Sequence, residues 1–290
     1  MKKFLILSGL LFILGFPCFA MADTLVFNGD YLRVGVGNAG GLIDDNFVVG
    51  IDYDKTGTST WTTFDFLKPG TPFEFYSVGV GGVWDAAGYT SGNPFSATTT
   101  DNTAGGVFSA VTNFSYGDLS GVQTLTFPAG SGTISFEIVL TNSGDSALED
   151  IVYARGLDPD QDVFAGGGYP TTNVIVNGNL VIGSAPITDW TIGIFSDSTY
   201  EHVPGISGPW DQDPYALLLG PDDGFGDNSI NMAWNLGSLN AGESATFAFE
   251  YRIAETSGEV IGTIPEPSTM LLLGAGLAGL VAVARKRQQA

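Results

Sequence analysis

The chain is poor in three residue types, and each shortage removes a class of function. It has one cysteine, Cys18, which falls within the first 22 residues, so everything after that segment is expected to fold without disulfides. It has one histidine, His202, so a multi-histidine metal site is excluded. A Ser-His-Asp triad would have to be built on Glu201-His202-Val203-Pro204, which reads as a loop. Lysine and arginine number ten against 31 Asp and Glu, and five of the ten stand at the extremities: Lys2, Lys3, Arg285, Lys286 and Arg287. Residues 23–264 keep five basic against 30 acidic side chains, a formal charge of −25. Such a body repels phosphate backbones, which excludes ordinary nucleic-acid binding. Gly-x-Ser-x-Gly, His-Glu-x-x-His and Gly-x-x-x-x-Gly-Lys are also missing, and no residue is assigned a catalytic role.

Helical periodicity of any length is missing between Asp23 and Ile264, and glycine, at 41 of 290 residues, is about twice its usual ~7%. The 44% apolar content is enough for a core, so the body is expected to be folded and turn-rich. Ile134, Phe136, Ile138 and Leu140 alternate with mostly polar residues, the period of a strand with one buried face. Phe247, Phe249, Tyr251 and Ile253 do the same. Residues 174–182 read as a hairpin with Asn177-Gly178 supplying the positive backbone angles of a primed turn. Further strands are expected over 24–28, 31–36, 47–53, 73–80, 107–116, 150–154 and 190–195. The fold class is therefore all-β, a β-sandwich, with an N-terminal signal peptide and one C-terminal transmembrane helix.

The ends carry the address. Met1-Lys2-Lys3, the apolar run Phe4–Phe16 and the small-x-small Ala20-Met21-Ala22 form a signal peptide over 1–22, cut by signal peptidase before Asp23. Gly15-Phe16-Pro17 lacks the small residue that a lipoprotein site places directly before its cysteine. After the body (23–263) comes a tail (264–290) in three parts. These are Ile264-Pro265-Glu266-Pro267-Ser268-Thr269, an apolar stretch over 268–284, and a basic end over 285–290. Seventeen helical residues just reach across a thin hydrocarbon core, and the basic end should stay cytoplasmic. Two prolines hold the preceding stretch extended, a form a protease can bind.

This tail resembles the PEP-CTERM sorting signal of Gram-negative bacteria, recognised by a membrane protease of the exosortase class. The resemblance implies that Pro265, Glu266 and Pro267 are the recognition residues. It also implies that the helix is a transient inner-membrane anchor, and that the processed protein reaches the outer surface or an extracellular polysaccharide or biofilm matrix. Within the body, Ser135–Tyr153 resembles a strand-turn-strand unit of bacterial cell-surface Ig-like repeats, and Leu236–Phe247 resembles their closing strand with its lead-in turn. The body is thus either one large sandwich or two fused Ig-like sandwiches, with a soft boundary near 128–132.

Two patterns bear on binding. Asp158-Pro159-Asp160-Gln161-Asp162 sets three carboxylates at alternate residues, the spacing with which a tight loop wraps Ca²⁺. Val163 replaces the glycine and Tyr169 the bidentate glutamate of an EF-hand, so the reading is a calcium loop completed by a distant ligand, or else a solvated acidic loop. Asp211-Gln212-Asp213 and the run Asp222–Asn228 are similar in character. Trp84-Asp85 and Trp210-Asp211 place an indole beside a carboxylate, the pairing on which a sugar ring stacks; Trp190 and Trp234 read as core. The expectation is an exported matrix protein of structural or adhesive role, not an enzyme. The alternative is a secreted carbohydrate-active enzyme or a calcium-dependent carbohydrate-binding module.

Overall fold

The computed structural model describes residues 25–61, 65–208, 210–220 and 224–262. The signal peptide and the sorting tail expected over 1–22 and 264–290 lie outside the described residues, and with them Pro265, Glu266, Pro267 and the helix over 268–284. Among the described residues no helix is long and apolar enough to cross a membrane. The chain runs through β1 (Leu25–Asn28), β2 (Leu32–Val36), β3 (Ile51–Tyr53), β4 (Glu74–Val80), β5 (Val83–Gly88), β6 (Thr98–Asp101), β7 (Val107–Tyr116), β8 (Leu119–Pro128) and β9 (Thr133–Asn142). It continues through β10 (Leu148–Leu157), β11 (Thr171–Asn177), β12 (Leu180–Ser184), β13 (Thr191–Phe195) and β14 (Glu201–Ser207). Then come α1 (Pro214–Leu217), β15 (Phe225–Gly226), β16 (Ser229–Leu239), β17 (Ser244–Ala254) and α2 (Ser257–Gly262).

The strands form a nine-stranded antiparallel sheet, β15-β11-β12-β13-β17-β9-β8-β7-β6, a five-stranded one, β14-β16-β10-β4-β5, and a small sheet, β1-β2-β3. The two large sheets lie face to face. Trp234 of β16 packs on Phe247 and Phe249 of β17 at 5.2 and 5.1 Å between ring centroids, and Tyr76 of β4 meets Phe114 of β7 at 5.2 Å. The inward residues of β9 and β17 are those the alternation marked. Residues 128–132 form the turn between β8 and β9, neighbours in one sheet, and both large sheets draw strands from early and late parts of the chain. The body is one large sandwich.

The segments 135–153 and 236–247, expected as Ig-like units, span two corners of the sandwich. The β9–β10 and β16–β17 connections both cross from one sheet to the other, and the buried Asn142 ties them together. Its side-chain amide donates to the carbonyls of Ser146 and Leu239, at 2.7 and 2.8 Å. Its backbone exchanges hydrogen bonds with Glu243 and Gly242.

Several local expectations change. The hairpin between β11 and β12 forms, but neither Asn177 nor Gly178 takes a positive φ; the Asn177 side chain accepts from the Asn179 amide instead, beside a register shift. The strand expected over 47–53 shrinks to β3 because the Asp44 carboxylate draws the amides of Asn46, Val48 and Val49 into a turn. Trp84 and His202 lie in strands, β5 and β14, rather than loops. Pro204 is tolerated in β14 because that strand is a sheet edge. β16 shows no alternation because it is covered on both faces: the inner face meets the nine-stranded sheet, and Ala233 on the outer face joins Phe73, Phe75 and Leu217 under α1. Asp213 caps α1, accepting from the Tyr215 and Ala216 amides, with Pro214 at the first helical position.

Between the sheets lies one charged pair. The fully buried Arg155 of β10 meets the fully buried Glu74 of β4, while its Nη1 donates to Gln123 Oε1 at 2.8 Å and its Nε to the Tyr251 hydroxyl at 3.2 Å. Glu74 also accepts from the Leu42 amide at 2.7 Å and the Tyr251 hydroxyl at 3.2 Å. Burial raises the Glu74 carboxyl while Arg155 opposes that. A guanidinium does not release its proton, so Arg155 keeps its charge beside Glu74.

Candidate metal centre and adjoining cleft

The acidic segment after β10 folds in two different ways within five residues. Asp158 and Asp160 continue along the sandwich end, their amides donating to the carbonyls of Phe73 and Phe66 at 2.9 and 2.8 Å. At Asp162 the backbone turns helical, φ −89° and ψ −6°, and enters a short 3-10 turn over Val163–Ala165. Alternate side chains share a face only in extended chain, so Asp162 leaves the others. Its carboxylate accepts from the Ile187 amide at 2.5 Å, the Thr188 amide at 3.1 Å and the Thr188 hydroxyl at 2.6 Å, and so fixes the loop before β13. The sequence-derived trio of Asp158, Asp160 and Asp162 is corrected to Asp158, Asp160 and Asp227.

Asp227 arrives through strand pairing. β10 runs beside β16 with Leu157 opposite Ile230, which brings the residues just before β16 alongside those just after β10. One carboxylate oxygen from each of Asp158, Asp160 and Asp227 lies within 4.8 Å of the others. Asp158 and Asp160 are buried and Asp227 is exposed. Burial, then the charges of Asp160 and Asp227, push the Asp158 carboxyl up to about 9. Burial and the Asp227 charge push Asp160 up to about 8. Without a counter-charge both hold their protons near neutral pH.

Asp160 and Asp227 also line a cleft of about 370 Å³ with Gly70, Thr71, Tyr169 and Trp210. Trp210 is half-buried, its ring stacked on Phe73 at 5.3 Å, while Tyr169 is 44% exposed. Gly70, at φ +69°, sits so close beneath Tyr169 that a Cβ there would fall 2.7 Å from the ring. Trp210 is thus placed beside carboxylates, though those of the triad and not Asp211, whose carboxylate accepts from the Asp213 amide. Trp84 is half-buried on the edge strand β5 and is not among the cleft's lining residues. Trp190 and Trp234 are core, at 8% and 0% exposure.

Comparison with known proteins bears on the two ends of the argument differently. The PEP-CTERM protein-sorting motif family matches residues 263–287. The chain carries a PEP-CTERM sorting motif. It is accordingly an exported protein that passes through a transient membrane-anchored step and is processed by an exosortase-type protease. No curated protein matches the chain. Among solved structures it is similar to a bacterial glucoamylase complexed with acarbose, at 10% identity and a TM-score of 0.53, over 84% of this chain and 34% of that one. It is also similar to a TPR-domain containing protein from Parabacteroides distasonis, at 9% identity and a TM-score of 0.47, over 82% of this chain and 47% of that one. A third likeness is a putative aldose 1-epimerase from Escherichia coli, at 13% identity and a TM-score of 0.45, over 80% of this chain and 99% of that one. This chain spans about a third of the glucoamylase and about half of the TPR protein. The glucoamylase likeness is one of fold.

Proposed function

We propose that this PEP-CTERM protein serves as a structural or adhesive component of an extracellular polysaccharide or biofilm matrix at the outer surface, and that its body contacts sugar through the cleft beneath Tyr169 and Trp210. The observation that carries the reading is the pairing of two aromatic rings with the carboxylates of Asp160 and Asp227 in one open cleft. Sugar rings present an apolar face to an aromatic side chain and hydroxyls to a carboxylate, so this pairing suits a saccharide segment. The surface charge fits a neutral or cation-bridged polysaccharide better than a strongly anionic one. Trp84, alone on its edge strand, is given no part.

The reading gives the cleft a binding role, with no residue assigned to catalysis. The test is affinity electrophoresis of the purified full chain through a panel of soluble polysaccharides. At least one should retard it, and Trp210→Ala and Tyr169→Ala should each weaken that retardation about fivefold to tenfold, the worth of one ring contact. Passage through every polysaccharide without retardation, or unchanged binding by both variants, would overturn the reading.

A further inference from the structure

Buried carboxylates elsewhere in this fold are satisfied. Asp65 accepts four backbone amides, those of Gly50, Ile51, Leu67 and Lys68. Glu74 has Arg155, and Asp162 has the 187–188 loop. Asp158 and Asp160 are the contrast. Each is 2% exposed, yet neither oxygen of Asp158 nor Oδ1 of Asp160 receives a hydrogen bond. A buried acceptor group with neither water nor donor is costly, and more so when ionised.

Among the described residues no side chain offers them a cation. The five basic side chains of residues 23–264 are all engaged elsewhere. Arg33 pairs with Asp52, Lys55 with Glu255, Arg155 with Glu74 and Arg252 with Glu250. Lys68 donates to the Val48 carbonyl and sits over the Phe47 ring. No positive charge among the described residues meets them, and a cation entering the site would take the place of the protons they otherwise hold.

We propose that Asp158, Asp160 and Asp227 hold one calcium ion at the floor of the cleft. The donors are hard carboxylate oxygens, which suit calcium and magnesium and not the thiol- or imidazole-seeking metals. The three oxygens lie within 4.8 Å of one another, a span that one ion can bridge. Magnesium demands near-ideal octahedral geometry and gives up its waters reluctantly, whereas calcium accepts an irregular set of carboxylate oxygens, so calcium is the better match to this partly buried trio. Calcium takes six to eight oxygens, so positions remain for water or sugar hydroxyls entering from the cleft. The site stands whether or not the cleft binds polysaccharide, because its argument uses no sugar.

The test uses the full chain purified in mild detergent and stripped with a chelator, titrated calorimetrically with calcium chloride. One calcium per chain is expected. At a hundredfold excess over the dissociation constant the melting temperature should rise by about 5 to 10 °C. Magnesium should give less than half that rise, and sodium at matched ionic strength almost none. Asp227→Asn, at an exposed position where folding is not in question, should weaken calcium binding at least tenfold. Asp158→Asn should abolish the calcium response while raising the melting temperature of the stripped chain, because it removes an uncompensated buried acid. Asp162→Asn should leave calcium affinity within twofold. Equal shifts from all three salts, no saturable heat, or an Asp227→Asn chain with unchanged affinity would overturn the site.

Discussion

The sharpest stability prediction concerns the charged pair at the centre of the sandwich. Glu74→Gln keeps the volume of the side chain and an acceptor for the Leu42 amide, but removes the charge opposite Arg155. The guanidinium stays protonated and fully buried, with Gln123 Oε1 and the Tyr251 hydroxyl as its remaining close partners and the Phe136 ring 4.8 Å away. None of these carries a compensating charge. Breaking one side of a buried ion pair costs about 3 to 5 kcal/mol, because the surviving charge has no partner and no water. For a chain of this size that corresponds to a fall in melting temperature of roughly 10 °C. The penalty belongs to the orphaned charge and not to the lost bond, so removing both charges should restore most of it. Glu74→Leu combined with Arg155→Met should lie within about 2 kcal/mol of the parent. Urea-induced unfolding followed by tryptophan fluorescence, with Trp234 in the same core, gives all three stabilities. A Glu74→Gln chain within about 1 kcal/mol of the parent, or a double variant weaker than the single one, would refute the reasoning.

Two further outcomes follow from the fold. Asn142→Ala removes two buried side-chain donors and leaves the Ser146 and Leu239 carbonyls unpaired where both sheet-crossing turns meet, so unfolding free energy should fall by about 2 to 4 kcal/mol; a loss under 1 would show that the corners hold without it. Asp52 is pushed up to about 6, by burial first and then by the nearby Asp65 charge, with Arg33 opposing. A raised carboxyl pKa means that the folded state binds the proton more tightly than the unfolded one. Its contribution is therefore present below about pH 4 and lost as pH rises through 6, on the order of 3 kcal/mol. Asp52→Asn should gain on the parent across that window and then hold a constant lead, and parallel curves from pH 4 to 7 would contradict the assignment.

How far the sequence could be read depended on the range of the interaction concerned. The strands β9 and β17 were legible because one face of each meets the core and the other meets polar surroundings, which writes a period of two into the residues. β16 was not, because two apolar layers cover it and erase the period. β5 and β14 were passed over because Trp84-Asp85 and His202-Val203-Pro204 carry turn-like residues that edge strands tolerate. Two of the three carboxylates of the acidic site were visible, Asp158 and Asp160. Asp162 failed because a turn begins there, a backbone change that no side-chain spacing announces. Asp227 sat in the acidic run 222–228, but nothing local linked it to a segment nearly seventy residues earlier.

The sequence by itself determined the route and the material of this protein: the tripartite tail with its Pro265-Glu266-Pro267, the negative body without disulfides, and an all-β chain. Each of these is written in contiguous residues, by composition, period or motif, and needs no knowledge of distant contacts. Only the tertiary structure decided that the body is a single sandwich, that Arg155 and Glu74 meet inside it, and that Asp227 completes the acidic triad beneath Trp210. Those depend on the pairing of β10 with β4 and β16, where partners lie about 75 residues apart. Sheet register brings such residues within ångströms of one another, and it is set by the packing of the whole core.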